Sequence, residues 1–241
     1  MCDSIKFTKD NSMVRLRAAI GIVVILCMYF SYKNYSKTAA ASYGMVVVLN
    51  GPSTSGKSSI QKEFQHLMMP NLWIKVGIDN LFDMPMPAIT VQNMSFWQSP
   101  NQIRWVETTH DALHNPVITL RTGAQGDRVA YGMNSAIADY AKAGCNVIVD
   151  YIAYKKEWVD DMRKQLDGIK TYWVKVAAPL AVLEEREIAR ATSPKGHARS
   201  HYDTVHWDVV YDLEVDSSVQ SAAEIAAQIK HLLGSAYYAC A

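Results

Sequence analysis

Residues 50–59 read NGPSTSGKSS, between the apolar run at 45–49 and a segment with helical spacing. Gly51, Gly56, Lys57 and Ser58 satisfy the pattern G-x-x-x-x-G-K-[ST] in full. A strand before such a loop and a helix after it let backbone N–H groups curl round phosphate oxygens, while the helix N-terminus adds positive potential. Glycine is needed where a Cβ would block close approach, a lysine neutralises the β- and γ-phosphates, and a serine at the next position ligates magnesium. Gly51, Pro52, Ser53, Thr54, Ser55, Gly56, Lys57, Ser58 and Ser59 are therefore the expected contacts to ATP, with Ser58 also a metal ligand. The bland alternative is a Gly/Ser-rich turn.

The rest of the chain follows the same logic. Short apolar runs at 45–49, 73–78, 147–149, 172–177 and 213–215 predict strands. Helical spacing predicts helices over 58–68, 136–143, 158–166 and 180–191, and S-x-x-E at 221–224 predicts a capping box opening a last helix to 233. Strands alternating with helices imply an α/β fold, a three-layer sandwich around a parallel sheet of about five strands with a helical lid. The stretch 84–126, rich in Met, Pro, Gln, Trp and Asn, reads as an irregular, substrate-covering insertion.

Binding a nucleotide is not chemistry until a second group acts. Asp79 stands just beyond the second predicted strand, on the edge where parallel strands bring their carboxyl ends. A carboxylate there can take the proton of an acceptor hydroxyl during in-line phosphoryl transfer; a helix N-cap is the competing role. Asp83 is a weaker candidate. Asp150 ends NVIVD as a Walker B aspartate would, placed to hold magnesium with Ser58, although strand-terminal aspartates also make turns. Arg186 and Arg190 share a helix face and repel unless an anion lies between them. With the polar segment 192–199 they suggest a lid over phosphates, against a solvated face on which Glu184, Glu185 and Glu187 balance the arginines. The histidines show no ligand spacing and read as surface or packing residues.

Composition narrows the partners. With 241 residues and a net charge of +1, the chain can bury a large core but lacks the basic excess of a nucleic-acid binder. Its four cysteines form no C-x-x-C pair, which favours a reducing compartment. Residues 1–44 differ in character, with an apolar run at 18–30 between basic flanks. Three readings stay open: an uncleaved anchor through 18–32, a cleaved signal, or translated sequence upstream of an enzyme beginning near Met45. The charge bias would send the remainder outside, where ATP is scarce, so a cytoplasmic catalytic domain over 45–241 is expected despite it.

The segments GPSTSGKSSI, LWIKVGIDNLFDMPMP, AKAGCNVIVDYI, EEREIARA and VVYDLEVDSS, followed by the final helix, resemble the chloramphenicol phosphotransferase-like family of P-loop kinases. The likeness runs in order over 46–233, weakest at 88–126. It implies that Asp79 is the catalytic base, that Lys57 and Ser58 are the loop lysine and serine, and that Arg186 and Arg190 are the lid arginines. Relatives can carry a second acid after the Walker B aspartate, where this chain has Tyr151. The resemblance implies an ATP- and magnesium-dependent transfer to a small hydroxyl compound, chloramphenicol (and so antibiotic resistance) or another. A nucleotide-binding ATPase or switch and a nucleotide or sugar kinase are the rivals. No N-K-x-D guanine signature is present.

Overall fold

The computed structural model describes residues 43–78, 90–97, 99, 104–190 and 195–234. The apolar run at 18–30, Asp79 and Asp83 lie outside these residues. In chain order the elements begin β1 (Val46–Asn50), α1 (Lys57–Met68), β2 (Trp73–Gly77), α2 (Met94–Trp97), β3 (Arg104–His110), β4 (Pro116–Thr122) and α3 (Ala124–Lys142). They continue β5 (Asn146–Tyr151), α4 (Lys156–Gln165), β6 (Thr171–Ala177), α5 (Leu180–Arg190), α6 (His197–His201), β7 (Leu213–Asp216) and α7 (Ala222–Leu233).

The central sheet is parallel, with strand order β2-β5-β1-β6-β7. Side chains of β1 alternate between its two faces, as strand geometry requires. Val46 and Val48 join Val147, Val149, Ile137, Trp158 and Met162 in one core, which covers the sheet with α3 and α4. Val47 and Leu49 join Ile60, Phe64, Val174, Ile225 and Ile229 in the other, under α1 and α7. Strands buried on both faces explain the near-continuous apolar runs. The capping box at Ser221 is present in both directions, with the hydroxyl taking the Glu224 N–H and the carboxylate taking the Ser221 N–H.

One expectation needs correction. The stretch 84–126 is not irregular throughout: β3 and β4 pair as an antiparallel hairpin, and α3 already begins at Ala124. Strand register hid in mixed composition, but the turn is chemically explicit, since Asp111 Oδ1 accepts the N–H groups of Leu113 (2.9 Å) and Asn115 (2.8 Å). The side chain and backbone of Asn115 hold the Asp111 carboxyl below the usual range. Tyr151, which stands where relatives can carry a second acid, faces the core. It is fully buried, its hydroxyl lies 3.4 Å from Asn134 Oδ1, and burial pushes its phenol well up.

The register places the functional edge. Leu49 and Gly77 both stand opposite Asp150, so β1, β5 and β2 end side by side. The loop after β1 and the residues after β2 therefore leave the sheet at one edge, where ligands of open α/β sheets bind.

Candidate active site

Between Asn50 and Lys57 the chain turns sharply. Gly51 packs so tightly against the Val176 carbonyl that a Cβ has no room, and Gly56 takes φ 91°, a region favouring glycine. The Lys57 ammonium is only 4% exposed. Burying that charge is costly unless it is paired, and it is paired heavily: the Gly51 carbonyl at 2.9 Å, the Pro52 carbonyl at 2.7 Å, Ser55 Oγ at 3.3 Å and Asp150 Oδ1 at 3.6 Å. Ser58 Oγ donates to the other carboxylate oxygen of Asp150 at 2.6 Å. Lys57, Ser58 and Asp150, which lie 93 and 92 positions from the aspartate's number in the case of the first two, thus meet in one cluster.

This cluster fits magnesium and phosphate. Ser58 and Asp150 offer two hard oxygens side by side, the share magnesium usually takes from protein when water and phosphate oxygens fill its octahedron. Ser58 and Ser59 open the first turn of α1 in exposed positions, and Lys57 supplies a fixed positive charge beside them.

The predicted arginines part company. Arg186 reaches the loop, donating to the Thr54 carbonyl (3.4 Å), Ser217 Oγ (3.0 Å) and the Ser217 carbonyl (2.7 Å). Arg190 is exposed on the last turn of α5. Glu187, read above as one of the acids on a solvated face, is 1% exposed. Its carboxylate accepts the N–H groups of Gly196 (2.7 Å) and Ala198 (2.8 Å), so α5 holds the start of α6. Arg199 ties α6 to Glu184 at 2.6 Å and to Asp111 of the hairpin at 2.8 Å.

Sequence reasoning missed His201. It is 4% exposed, and its Nε2 accepts the Ser53 N–H of the loop at 3.0 Å. Burial, followed by the charges of His197 and Lys57, holds its imidazole well below the usual range, hence neutral. His197 packs 4.8 Å away and stacks on Tyr154, with burial lowering its pKa to about 4. The only trace in the sequence is the i, i+4 pairing of His197 and His201 next to a glycine, which carries no chemical motif.

Beside His201 lies a cavity of about 270 Å³ whose walls include Thr119, Arg121, Tyr154, Lys155, Thr204 and Trp207. Both cations in the wall are already matched, Arg121 by Glu107 (2.7 Å) and Lys155 by Asp127 (2.8 Å). The Trp207 indole N–H is taken by the Ala153 carbonyl at 2.7 Å. The aromatic walls are Tyr154 and Trp207. Asp79 falls outside the described residues, two positions past Gly77.

Comparison with known proteins agrees with this architecture. The family model described as chloramphenicol phosphotransferase-like protein matches residues 44–234. A Mycobacterium tuberculosis (strain H37Rv) protein provisionally assigned as an O-phosphotransferase is 27% identical over 198 residues, covering 82% of this chain and 84% of that one. Among solved structures, the Mycobacterium tuberculosis APS kinase CysC in complex with AMPPNP and APS superposes with a TM-score of 0.53 at 18% identity, over 80% of this chain and 98% of that chain. A gluconokinase from Sinorhizobium meliloti 1021 gives 0.50 at 21%, over 83% and 99%. The fold is that of the P-loop kinases, and the chain belongs to the chloramphenicol phosphotransferase-like family, as a phosphotransferase acting on a hydroxyl group.

Proposed function

We propose that the chain transfers the γ-phosphoryl group of ATP to a hydroxyl of a small, uncharged molecule seated in the cavity beside His201. The observation that carries this reading is the meeting of Lys57, Ser58 and Asp150 at the sheet edge, with His201 shared between the loop and the cavity wall. Magnesium, when bound, supplies charge neutralisation at the phosphates. Ser58 and Asp150 are the residues to hold it, and the loop 51–59 is the nucleotide contact. Lys57 stabilises charge on the β- and γ-oxygens. Asp79 takes the acceptor's hydroxyl proton as the new O–P bond forms and the bond to the leaving ADP oxygen breaks. Arg186 and Arg190 are the arginines on the phosphate side, Arg186 through its grip on the loop.

Supporting an uncharged acceptor, the wall's two cations are already paired and its histidine is neutral, so an anionic group would find no unmatched charge there. Chloramphenicol has this character, and so do many neutral sugars and nucleosides. The kinase chemistry requires ATP, which favours a cytoplasmic catalytic domain whatever the role of residues 1–44. Among the described residues no helix is long and apolar enough to cross a membrane.

A thermal-shift screen of chloramphenicol, neutral sugars and nucleosides with MgADP, followed by ATP-consumption assays on the hits, tests the reading. At least one uncharged hydroxyl compound should raise the melting temperature with MgADP and stimulate ATP turnover. If ATP binds but only anionic acceptors stimulate turnover, the assignment of the cavity is wrong. If no acceptor stimulates it, the ATPase or switch reading takes its place.

A further inference from the structure

The phosphotransfer chemistry uses Lys57, Ser58, Asp150 and Asp79 and leaves His201 without a role. We propose that His201 is a positioning residue that sets the phosphate-binding loop from the α5–α6 side, by holding the Ser53 N–H on its Nε2. The proposal rests on the P-loop reading of residues 51–59.

Three observations point the same way. First, the ring is wired as an acceptor. The Ser200 hydroxyl donates to the His197 carbonyl at 2.7 Å, so its lone pairs face His201 Nδ1 at 3.2 Å and take the Nδ1 proton. That leaves Nε2 bare toward Ser53. Second, the loop is gripped from the same side at the next residue. Thr54 adopts φ 61°, an uncommon and strained conformation for a residue with a Cβ, which persists only where surroundings impose it. Here they include α5: the Thr54 hydroxyl, within reach of the Ser53 carbonyl at 2.6 Å, also meets the Leu183 carbonyl at 2.9 Å, and Arg186 donates to the Thr54 carbonyl. Third, His201 is itself held. Glu187 on α5 fixes the start of α6 through Gly196 and Ala198, and Tyr154 packs edge-on against the imidazole with ring centroids 5.2 Å apart.

A histidine that merely filled the core would be satisfied by any carbonyl or hydroxyl. This one takes a backbone N–H from the loop whose N–H groups must be aimed at phosphate. Because His201 also lines the cavity, whatever sits there touches the residue that shapes the loop.

The test uses the full chain and MgATP itself, measured by calorimetry and by basal ATP hydrolysis, with melting temperature as the fold control. His201→Leu leaves the Ser53 N–H without its acceptor and should weaken MgATP binding by roughly tenfold, the cost of one buried donor left unpaired. The loss should appear mainly in KM. His201→Gln offers a carbonyl oxygen at similar reach and should recover affinity to within about threefold. Ser200→Ala removes the hydroxyl that fixes the tautomer, and a loss of about twofold to threefold is expected, in the same direction and smaller because the ring remains. The proposal is overturned if folded His201→Leu binds MgATP as the unaltered chain does, or if His201→Gln loses as much as His201→Leu. Should His201→Leu fail to fold, a tenfold loss in His201→Gln with Ser200→Ala unaffected overturns it equally. Lys57→Ala separates the two levels: if that variant keeps full MgATP affinity, the P-loop reading itself fails, whereas a loss there with His201→Leu unaffected removes only the role of His201.

Discussion

The loop at Gly51–Ser59 and the α5–α6 face above it meet at Ser53 and Thr54, yet they are built in opposite ways. The loop is local: nine consecutive residues carry its glycines, its lysine and its serine, and the strand and helix on either side fix its ends. The α5–α6 face is assembled from residues far apart in the chain, with Glu187 capping α6, Arg199 joining Glu184 to Asp111, and His201 reaching back to Ser53. Local chemistry holds the charge of a phosphate. Long-range packing decides how that chemistry is aimed.

If this division is right, removing charge from the loop should do the greatest damage. Lys57→Ala should abolish turnover and weaken ATP binding, leaving a folded protein, because in the proposed reading the ammonium is the fixed charge at the β- and γ-phosphates. Steady-state kinetics with a melting curve checks both halves of that statement. Next in size, Asp79→Asn should lower transfer to an acceptor by roughly 10²- to 10⁴-fold, the usual contribution of a positioned base. ATP affinity and melting temperature should hold, since Asn caps a helix about as well as Asp. A lower melting temperature with unchanged transfer per folded molecule would make Asp79 a cap only, with Asp83 the next base to test.

On the other side of the comparison the effects should be structural before they are catalytic. Glu187→Ala strands two N–H groups at the start of α6 and should cost roughly 2 kcal/mol of stability, read by denaturant unfolding. Turnover should then fall through loss of the loop's support, with KM for ATP rising more than kcat drops. Smallest in its bearing on turnover is a pH effect, which acts on stability alone. His197 titrates at about 4 in the folded chain against an ordinary 6.5, mainly because burial disfavours its charged form. The unfolded chain therefore binds a proton between those values that the folded chain does not, so stability is flat above pH 6.5 and falls as pH drops toward 4. His201, shifted the same way, adds to the slope. Melting temperatures of the unaltered chain and of His197→Asn across this window should converge toward acid pH, the variant lacking its share of the decline.

The same contrast governs what could be read before any coordinates. All five parallel strands were legible, to within a residue or two at their ends; the inner ones are apolar because they are buried on both faces, Val46–Asn50 being the plainest case, and the edge strands β2 and β7 keep shorter apolar patterns. That Lys57, Ser58 and Asp150 meet was legible, because a glycine-rich loop after one strand and an aspartate ending its neighbour place all three at one sheet edge. The β3–β4 hairpin was not, since Arg104–His110 mixes charged, aromatic and β-branched residues without a clean alternation. Nor was α6, whose five residues depend on a carboxylate from another helix. Glu187 and His201 look like surface residues in a linear reading. Only the packing of α5 on α6, and of α6 on the loop, buries them.

The central claim, that this site moves a phosphoryl group onto a hydroxyl, is tested most directly by following the phosphorus atom. Phosphorus NMR of MgATP incubated with the protein and an acceptor taken from the thermal-shift screen should show a new phosphomonoester growing in step with ADP, and Lys57→Ala should show neither. Inorganic phosphate as the sole product beside ADP, with every acceptor that binds, would contradict the claim.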